Sequence, residues 1–275
     1  MIIGTGLCYK PENMIDDPFS LSPNPATLFI TPGLKSALHK IRYTIQKRQG
    51  LTCILGDVGM GKSSVVRLLY GDFLAREDYR TAFIPNPSYK SDFAFLQGLC
   101  GELDVPLRKS YFKQENELKD YLADNYANKV NVVIFVDEAQ KLDQKMLESI
   151  RSMLNFETNT AKLIQFVLAG QLELRDRLKE EKNKAIDSRV FAYSLLDPLS
   201  FSEMKRMIAH RCEQAEMAVP FPEKVMEAIY EMTKGVPREV LKLCAQAYET
   251  STNLMGETSV TMEAFEIVRE EIVRV

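Results

Sequence analysis

Nothing in this 275-residue chain approaches the roughly 20 consecutive apolar residues that a helix needs to span a bilayer. The first residues, Met1-Ile2-Ile3-Gly4-Thr5-Gly6, lack the charged-then-apolar layout of a secretion signal. Excess positive charge is missing as well. Lys and Arg number 35 against 38 Asp and Glu, a net charge of −3, so no overall field draws the chain to nucleic acid and any DNA contact needs a local basic face. The five cysteines, Cys8, Cys53, Cys100, Cys212 and Cys244, fall at no metal-like spacing. They read as small buried hydrophobes in a reducing compartment. Internal repeats and low-complexity tracts are absent too. What is present is a composition of 45% hydrophobic and 27% charged residues, enough for a sizeable core in one large domain or two smaller ones. The expectation is a soluble, cytoplasmic protein.

The most informative stretch is Gly56-Asp57-Val58-Gly59-Met60-Gly61-Lys62-Ser63. It fits G-x-x-x-x-G-K-[ST], the phosphate-binding loop of nucleotide triphosphatases. The apolar run Leu51–Leu55 before it suits a strand, and Ser64-Val65-Val66-Arg67-Leu68-Leu69-Tyr70 after it suits a helix. The motif therefore stands between strand and helix, as its chemistry requires. Glycines at 56, 59 and 61 let backbone N–H groups turn inward around phosphate oxygens. The following helix, opened by Lys62, Ser63 and Ser64, presents its positive end to the same phosphates. Lys62 is placed to reach the β- and γ-phosphates, and the Ser63 hydroxyl to ligate Mg²⁺.

A second motif lies at Val130–Gln140. Val132-Val133-Ile134-Phe135-Val136 is a continuous apolar run, the signature of a strand buried on both faces of a parallel sheet. Its end delivers Asp137 and Glu138 to the carboxyl edge of that sheet, where open α/β folds bind ligands. Asp137 is the candidate for the Mg²⁺ shell, and Glu138 for orienting and deprotonating an attacking water. Leu163–Ala169 is a further buried strand that ends at Gly170-Gln171. The Gln171 amide suits a contact to the γ-phosphate or the lytic water, and equally a turn residue satisfying local backbone.

In chain order, residues 1–30 carry Pro11, Pro18, Pro23 and Pro25 and read as an irregular arm. A helix is expected over 33–49, a strand over 81–84, a helix capped by Ser91, and a loop over 106–114. That loop interleaves Arg108, Lys109 and Lys113 with Tyr111 and Phe112, which suits a nucleic-acid backbone contact and also an ordinary surface loop. Helices are expected near 115–128 and 144–154. Residues 172–190 are rich in charge, and Arg189 precedes the strand-like run 190–195, which would hold its guanidinium in place. Beyond Asp197-Pro198 the pattern becomes helical only: about 202–216, capped by Ser202, then 223–233, 237–252 and 262–273. The organisation expected is an arm (1–30), an α/β core (31–197) and a small helical part (198–275).

These residues together resemble the ExeA-like group of AAA+ ATPases, which includes the transposition regulators TnsC and TniB and is related to MuB. The resemblance runs from about Asp17 to about Thr252. It is carried by Asp17-Pro18-Phe19, by the loop Gly56–Ser63, by Val136-Asp137-Glu138-Ala139-Gln140, by Leu168-Ala169-Gly170-Gln171-Leu172-Glu173-Leu174 and by Gly235-Val236-Pro237-Arg238. It implies a P-loop AAA+ core, a parallel sheet flanked by helices, followed by an all-helical lid. It also implies active sites shared between subunits. Gln171 then matches the sensor on the fourth core strand, Arg189 the trans-acting arginine finger, with Arg175 and Arg177 competing for that role, and Arg238 the lid sensor of the γ-phosphate. Where the group often has Gly-Gln-Pro-Glu-Leu, this chain has Leu172, which bears on the turn after Gln171.

The resemblance implies an ATP- and Mg²⁺-dependent enzyme that assembles as a homo-oligomer, a hexameric or heptameric ring or a helical filament. On its DNA-acting branch the partners are double-stranded DNA, without sequence preference, and a transposase or targeting protein, with Lys90, Arg108, Lys109 and Lys113 expected at the DNA. ExeA-type members continue into a membrane segment and a peptidoglycan-binding region not seen in these 275 residues, and the expectation therefore leans to the DNA-acting branch. The alternative is an ExeA-like ATPase acting on protein partners in secretion or assembly, without DNA.

Overall fold

A computed structural model of the chain describes residues 17–274. Cys8 and Pro11 of the sequence reading lie outside the described residues. The chain divides into two compact units. One is residues 30–197, and the other joins the arm up to Phe29 with residues from Pro198 onward.

The first unit follows α1 (Pro32–Gln46), β1 (Leu51–Leu55), α2 (Lys62–Leu74), β2 (Tyr79–Ile84), α3 (Asp92–Glu102), α4 (Tyr111–Ala127), β3 (Asn131–Val136), α5 (Gln144–Met153), β4 (Ile164–Gly170), α6 (Leu172–Leu178), α7 (Lys184–Asp187) and β5 (Val190–Leu195). The five strands form one sheet in the order β2-β3-β4-β1-β5, and every pairing is parallel. Every residue of β1, β3 and β4 is buried. That is the environment their largely apolar runs require, since parallel sheets are covered by helices on both faces. The edge strands β2 and β5 keep partly exposed positions. The core is built from these central strands and the inner faces of the helices, with Phe95, Phe135, Phe166, Leu122 and Ile150 fully buried.

This topology decides where chemistry can occur. The chain leaves β1, crosses to the far edge at β2, returns through β3 and β4 to lie beside β1, and only then adds β5 on the other side. The carboxyl ends of β3, β4 and β1 thus stand side by side. Loops that leave neighbouring strands in different directions open a crevice at such a point.

Two expectations in this unit change. Residues 111–114 are not loop: α4 starts at Tyr111, because Ser110 is an N-cap whose hydroxyl accepts the Lys113 N–H at 3.4 Å. Lys113 therefore stands in the first turn of a helix. The β2 strand also begins two residues earlier than expected, at Tyr79. By contrast Ser91 caps α3 as expected, accepting from Ala94 N–H at 3.1 Å.

The second unit contains α8 (Phe201–Gln214), α9 (Glu223–Thr233), α10 (Pro237–Glu249) and α11 (Met262–Arg274). Its core gathers Met204, Ile208, Val225, Ile229, Val240, Cys244 and Phe265. The cap of α8 is Ser200, not Ser202. Ser200 Oγ accepts the Glu203 N–H and the Glu203 carboxylate accepts the Ser200 N–H, a reciprocal capping box that Ser202, with Lys205 three residues on, could not make. α10 ends at Glu249, and its path continues as one π turn over Thr250–Leu254.

The arm from Asp17 to Phe29 is part of this helical unit rather than a separate piece. Phe19 is buried edge-on against Phe221 and Tyr248, at centroid distances of 5.4 and 5.7 Å. The Arg211 guanidinium, itself buried, donates to the carbonyls of Pro18 and Ser20 at 3.3 and 3.0 Å. Among the described residues no helix is long and apolar enough to cross a membrane.

Candidate nucleotide site

The loop between β1 and α2 has the conformation its glycines foretell. Gly59 and Gly61 take φ of 84° and 85°, the left-handed region that favours glycine. Gly56 serves a different need. A Cβ there would lie 3.1 Å from the Leu196 carbonyl oxygen and 3.3 Å from Met60 Cβ, so the backbone approaches its neighbours too closely for a side chain. Gly61 is the N-cap of α2 and supplies no side-chain cap. The first turn of α2 consequently presents backbone N–H groups and the positive end of the helix, an arrangement that suits an anion. Lys62 is buried, and its Nζ donates to the carbonyls of Gly56 and Asp57, both at 2.8 Å. The ammonium is folded over the loop. Ser63 and Ser64 follow in the first helical turn, half-buried, while Asp57 and Val58 form the exposed crown of the loop.

Two strands away, the tip of β3 carries Asp137 and Glu138. Asp137 is buried, its N–H donates to Ile84 O at 2.9 Å, and its Oδ1 accepts the N–H of Glu138 at 2.9 Å. Glu138 has a left-handed backbone, φ 52°, a conformation that a non-glycine residue keeps only when its surroundings impose it. Its Oε2 accepts from Gln140 Nε2 at 2.8 Å and lies 3.9 Å from Lys141 Nζ. At the tip of β4, between the other two, Gln171 is the N-cap of α6. Leu172 takes the first helical position, where proline is also accommodated. The leucine therefore leaves the turn intact.

The AAA domain family matches residues 45–178, a span that contains the loop, the β3 tip and Gln171. General secretion pathway protein A of Aeromonas hydrophila is 29% identical over 265 residues, covering 93% of this chain and 48% of that protein. The chain thus spans about half the length of the curated relative it matches. The Aeropyrum pernix ORC2 protein, solved as ADPNP-ADP complexes, is similar with a TM-score of 0.68 at 15% identity, over 92% of this chain and 70% of that one. The Aeropyrum pernix ORC1 protein in complex with DNA is similar with a TM-score of 0.67 at 15% identity, over 93% and 69%. This is a P-loop AAA+ fold.

Within this unit the first turn of α2 and the tip of β3 supply donors of the kind Mg²⁺ takes. The Ser63 hydroxyl and the Asp137 carboxylate are hard oxygen donors. Among the described residues no cluster of three or more His, Cys, Asp or Glu forms a cage. Few protein ligands, with the rest of the shell from phosphate and water, is how Mg²⁺ is commonly held.

The candidate arginines differ in what they touch. Arg189 donates to the Ala185 carbonyl and to Asn155 Oδ1 of its own chain. Arg175 pairs with the adjacent Asp176 at 3.0 Å. Arg177 is half-buried, its Nη2 lies 3.5 Å from the Ala139 carbonyl, and burial pulls its pKa below the ordinary value against the attraction of Glu180, Asp143 and Glu173. Arg238 is exposed in the first turn of α10, in the helical unit.

The four basic residues expected at DNA form a local group. Phe93 and Tyr111 are 6.3 Å apart between ring centroids, which brings the starts of α3 and α4 together, with Lys90 just before one and Lys109 and Lys113 at the other. Arg108 differs from the lysines, since its guanidinium is paired with Glu117 at 2.8 Å. Beside them Phe112 is 70% and Leu107 59% exposed.

The residue that sequence reading passes over is Gln140. Its place in Asp137-Glu138-Ala139-Gln140 marks it only as part of a phrase. An amide two residues after a carboxylate has no periodicity to give it a role, and only the packing of β3 against β4 shows what it holds.

Proposed function

We propose that this chain is a Mg²⁺-dependent ATPase of the ExeA-like group that assembles when it binds ATP and acts on a protein partner. The observation that carries the reading is the convergence on one carboxyl edge of the sheet of an open anion cradle with a buried lysine, a buried aspartate, and a glutamate held in a left-handed turn. Lys62 and the α2 N–H groups bind and orient the phosphates, and Ser63 and Asp137 hold the ion. Mg²⁺, when bound, neutralises charge on the phosphate oxygens. Glu138 takes the proton of the attacking water. Gln171 contacts the γ-phosphate, Arg238 keeps the lid-sensor role that the resemblance gives it, and an arginine from the next subunit, Arg189 or its competitors Arg175 and Arg177, stabilises the transferred charge. The similarity to General secretion pathway protein A over 93% of the chain supports a protein partner over DNA.

A second reading, a DNA-assembling regulator of a transposase, is favoured by one observation. Lys109 and Lys113 stand beside exposed Phe112 and Leu107 at the joined ends of α3 and α4, and cations beside an exposed aromatic suit a nucleic-acid backbone. Turnover of Mg-ATP by the purified protein, with Glu138→Gln as the control, tests the main proposal. The variant is expected to bind ATP, lose at least about tenfold in turnover and accumulate as an oligomer. Full turnover in Glu138→Gln removes Glu138 from its role, and a protein that stays monomeric in ATP refutes assembly. A mobility-shift assay with random duplex DNA and a slowly hydrolysed ATP analogue separates the two readings.

A further inference from the structure

We infer that Gln140 is a positioning residue for Glu138, and that its side-chain amide ties the Glu138 carboxylate to the tip of β4. The inference rests on the ATPase reading and adds to it a residue with no assigned role.

The last backbone pairing between β3 and β4 joins Val136 to Leu168. Past it β3 gives way to the turn at 137–140 while β4 runs on to Gly170 beside β1, and no ladder pairing joins β3 to β4 there. The Gln140 side chain spans this gap with both ends of its amide. Its Nε2 donates to Glu138 Oε2 at 2.8 Å, and its Oε1 accepts the N–H of Gln171 at 3.2 Å. The orientation of the amide is chemically forced. A carboxylate accepts only from the NH₂ end, and a backbone N–H donates only to the oxygen. Leucine or methionine would fill the space and make neither bond.

Gly170 leaves room for this arrangement. A Cβ there would lie 3.1 Å from Gln140 Oε1, 3.2 Å from Gln140 N and 2.8 Å from Leu174 Cδ2. The glycine before Gln171 is therefore a packing requirement of the amide.

Two consequences follow. Oε2 of Glu138 is engaged by Gln140, with Lys141 Nζ 3.9 Å away, which fixes the plane of the carboxylate and leaves Oε1 as the less engaged oxygen. And a displacement of the first turn of α6, where Gln171 sits, is passed to the Glu138 carboxylate through a single side chain. A nucleotide that pulls on Gln171 thereby sets the direction of the base.

The test uses Gln140→Leu in the full chain, measured three ways. In steady-state turnover of Mg-ATP, kcat is expected to fall about tenfold, the scale of one charge-assisted hydrogen bond that acts in the transition state, with KM for ATP within about twofold of the parent. In the nucleotide-free protein, hydrogen exchange at the Gln171 amide is expected to quicken several-fold, because its acceptor is gone. In the Glu138→Gln background the same substitution is expected to cost nothing further, because Gln140 acts through Glu138. An unchanged kcat, an equal loss in the Glu138→Gln background, or an unchanged Gln171 exchange rate each overturns the inference. Should Gln140→Leu melt well below the parent, Gln140→Met, matched in length, takes its place. A parent protein without turnover overturns the ATPase reading instead, and the exchange measurement still decides whether Gln140 holds the β4 tip.

Discussion

Replacing Gly235 with alanine should cost the helical unit far more than replacing Gly256, although both glycines have nearly the same backbone conformation. Gly235 has φ 78° and Gly256 φ 72°, and alanine in this region loses about 1–2 kcal/mol. At Gly256 that is the whole effect, since a Cβ there meets nothing within 4 Å. At Gly235 the Cβ would lie 2.0 Å from the Leu199 carbonyl oxygen and 3.0 Å from its carbonyl carbon, both backbone atoms with no rotamer to escape into. The segments must part. The hydrogen bond from Leu199 N–H to Gly235 O, 2.9 Å long, is then lost at about 1 kcal/mol, and relief of the overlap adds about 1–3 kcal/mol. The predicted loss is about 3–6 kcal/mol for Gly235→Ala. For a unit of about 60–100 residues each kcal/mol moves the melting temperature by about 4–8 °C, so the two variants should melt at least about 8 °C apart. Circular dichroism at 222 nm against temperature reads this directly. If both variants melt together, the close approach of residues 199 and 235 is wrong, and with it the packing that presents Arg238 at the start of α10.

Other outcomes follow from the same structure. Removing Lys109 and Lys113 together should, on the DNA reading, weaken duplex binding and lower the slope of log affinity against log salt by about 2, near one unit per lost phosphate contact. An unchanged slope places the DNA elsewhere, whereas Arg108→Ala should matter less because Glu117 already partners that guanidinium. The buried cysteines should resist alkylation in the native protein. Burial pushes the Cys100 and Cys212 thiols up to about 11 and those of Cys53 and Cys244 higher still. At pH 8 roughly one molecule in a thousand carries the Cys100 or Cys212 thiolate. Labelling mapped by mass spectrometry should rise only at high pH or on unfolding, and rapid native labelling at pH 8 would contradict the packing.

Local pattern was enough to mark the nucleotide loop and the buried strands. The glycines at 59 and 61 can be read in sequence because a left-handed turn before a helix needs them wherever it occurs. The runs in β1, β3 and β4 can be read because only a strand covered on both faces tolerates so little polarity. Local signals misplaced what depends on competition between neighbours. Ser200 and Ser202 both suit a cap, and the choice rests on Glu203 reaching back to one of them. Ser110 turns the end of an apparent loop into the start of α4. The arm looks irregular by its prolines, yet Phe19 and the Arg211 contacts fold it into the helical unit.

By itself the sequence determined a glycine-rich turn between a strand and a helix, a pair of acidic residues at the end of a buried strand, and a change from α/β to helix near Asp197. Each of these is written in consecutive residues, where spacing alone dictates backbone geometry. Only the tertiary structure decided that the β4 tip lies between the cradle and the acidic pair, and that Gln140 spans from Glu138 to that tip. The strand order β2-β3-β4-β1-β5 brings together segments far apart along the chain, and that order is set by how whole faces pack rather than by any stretch of sequence.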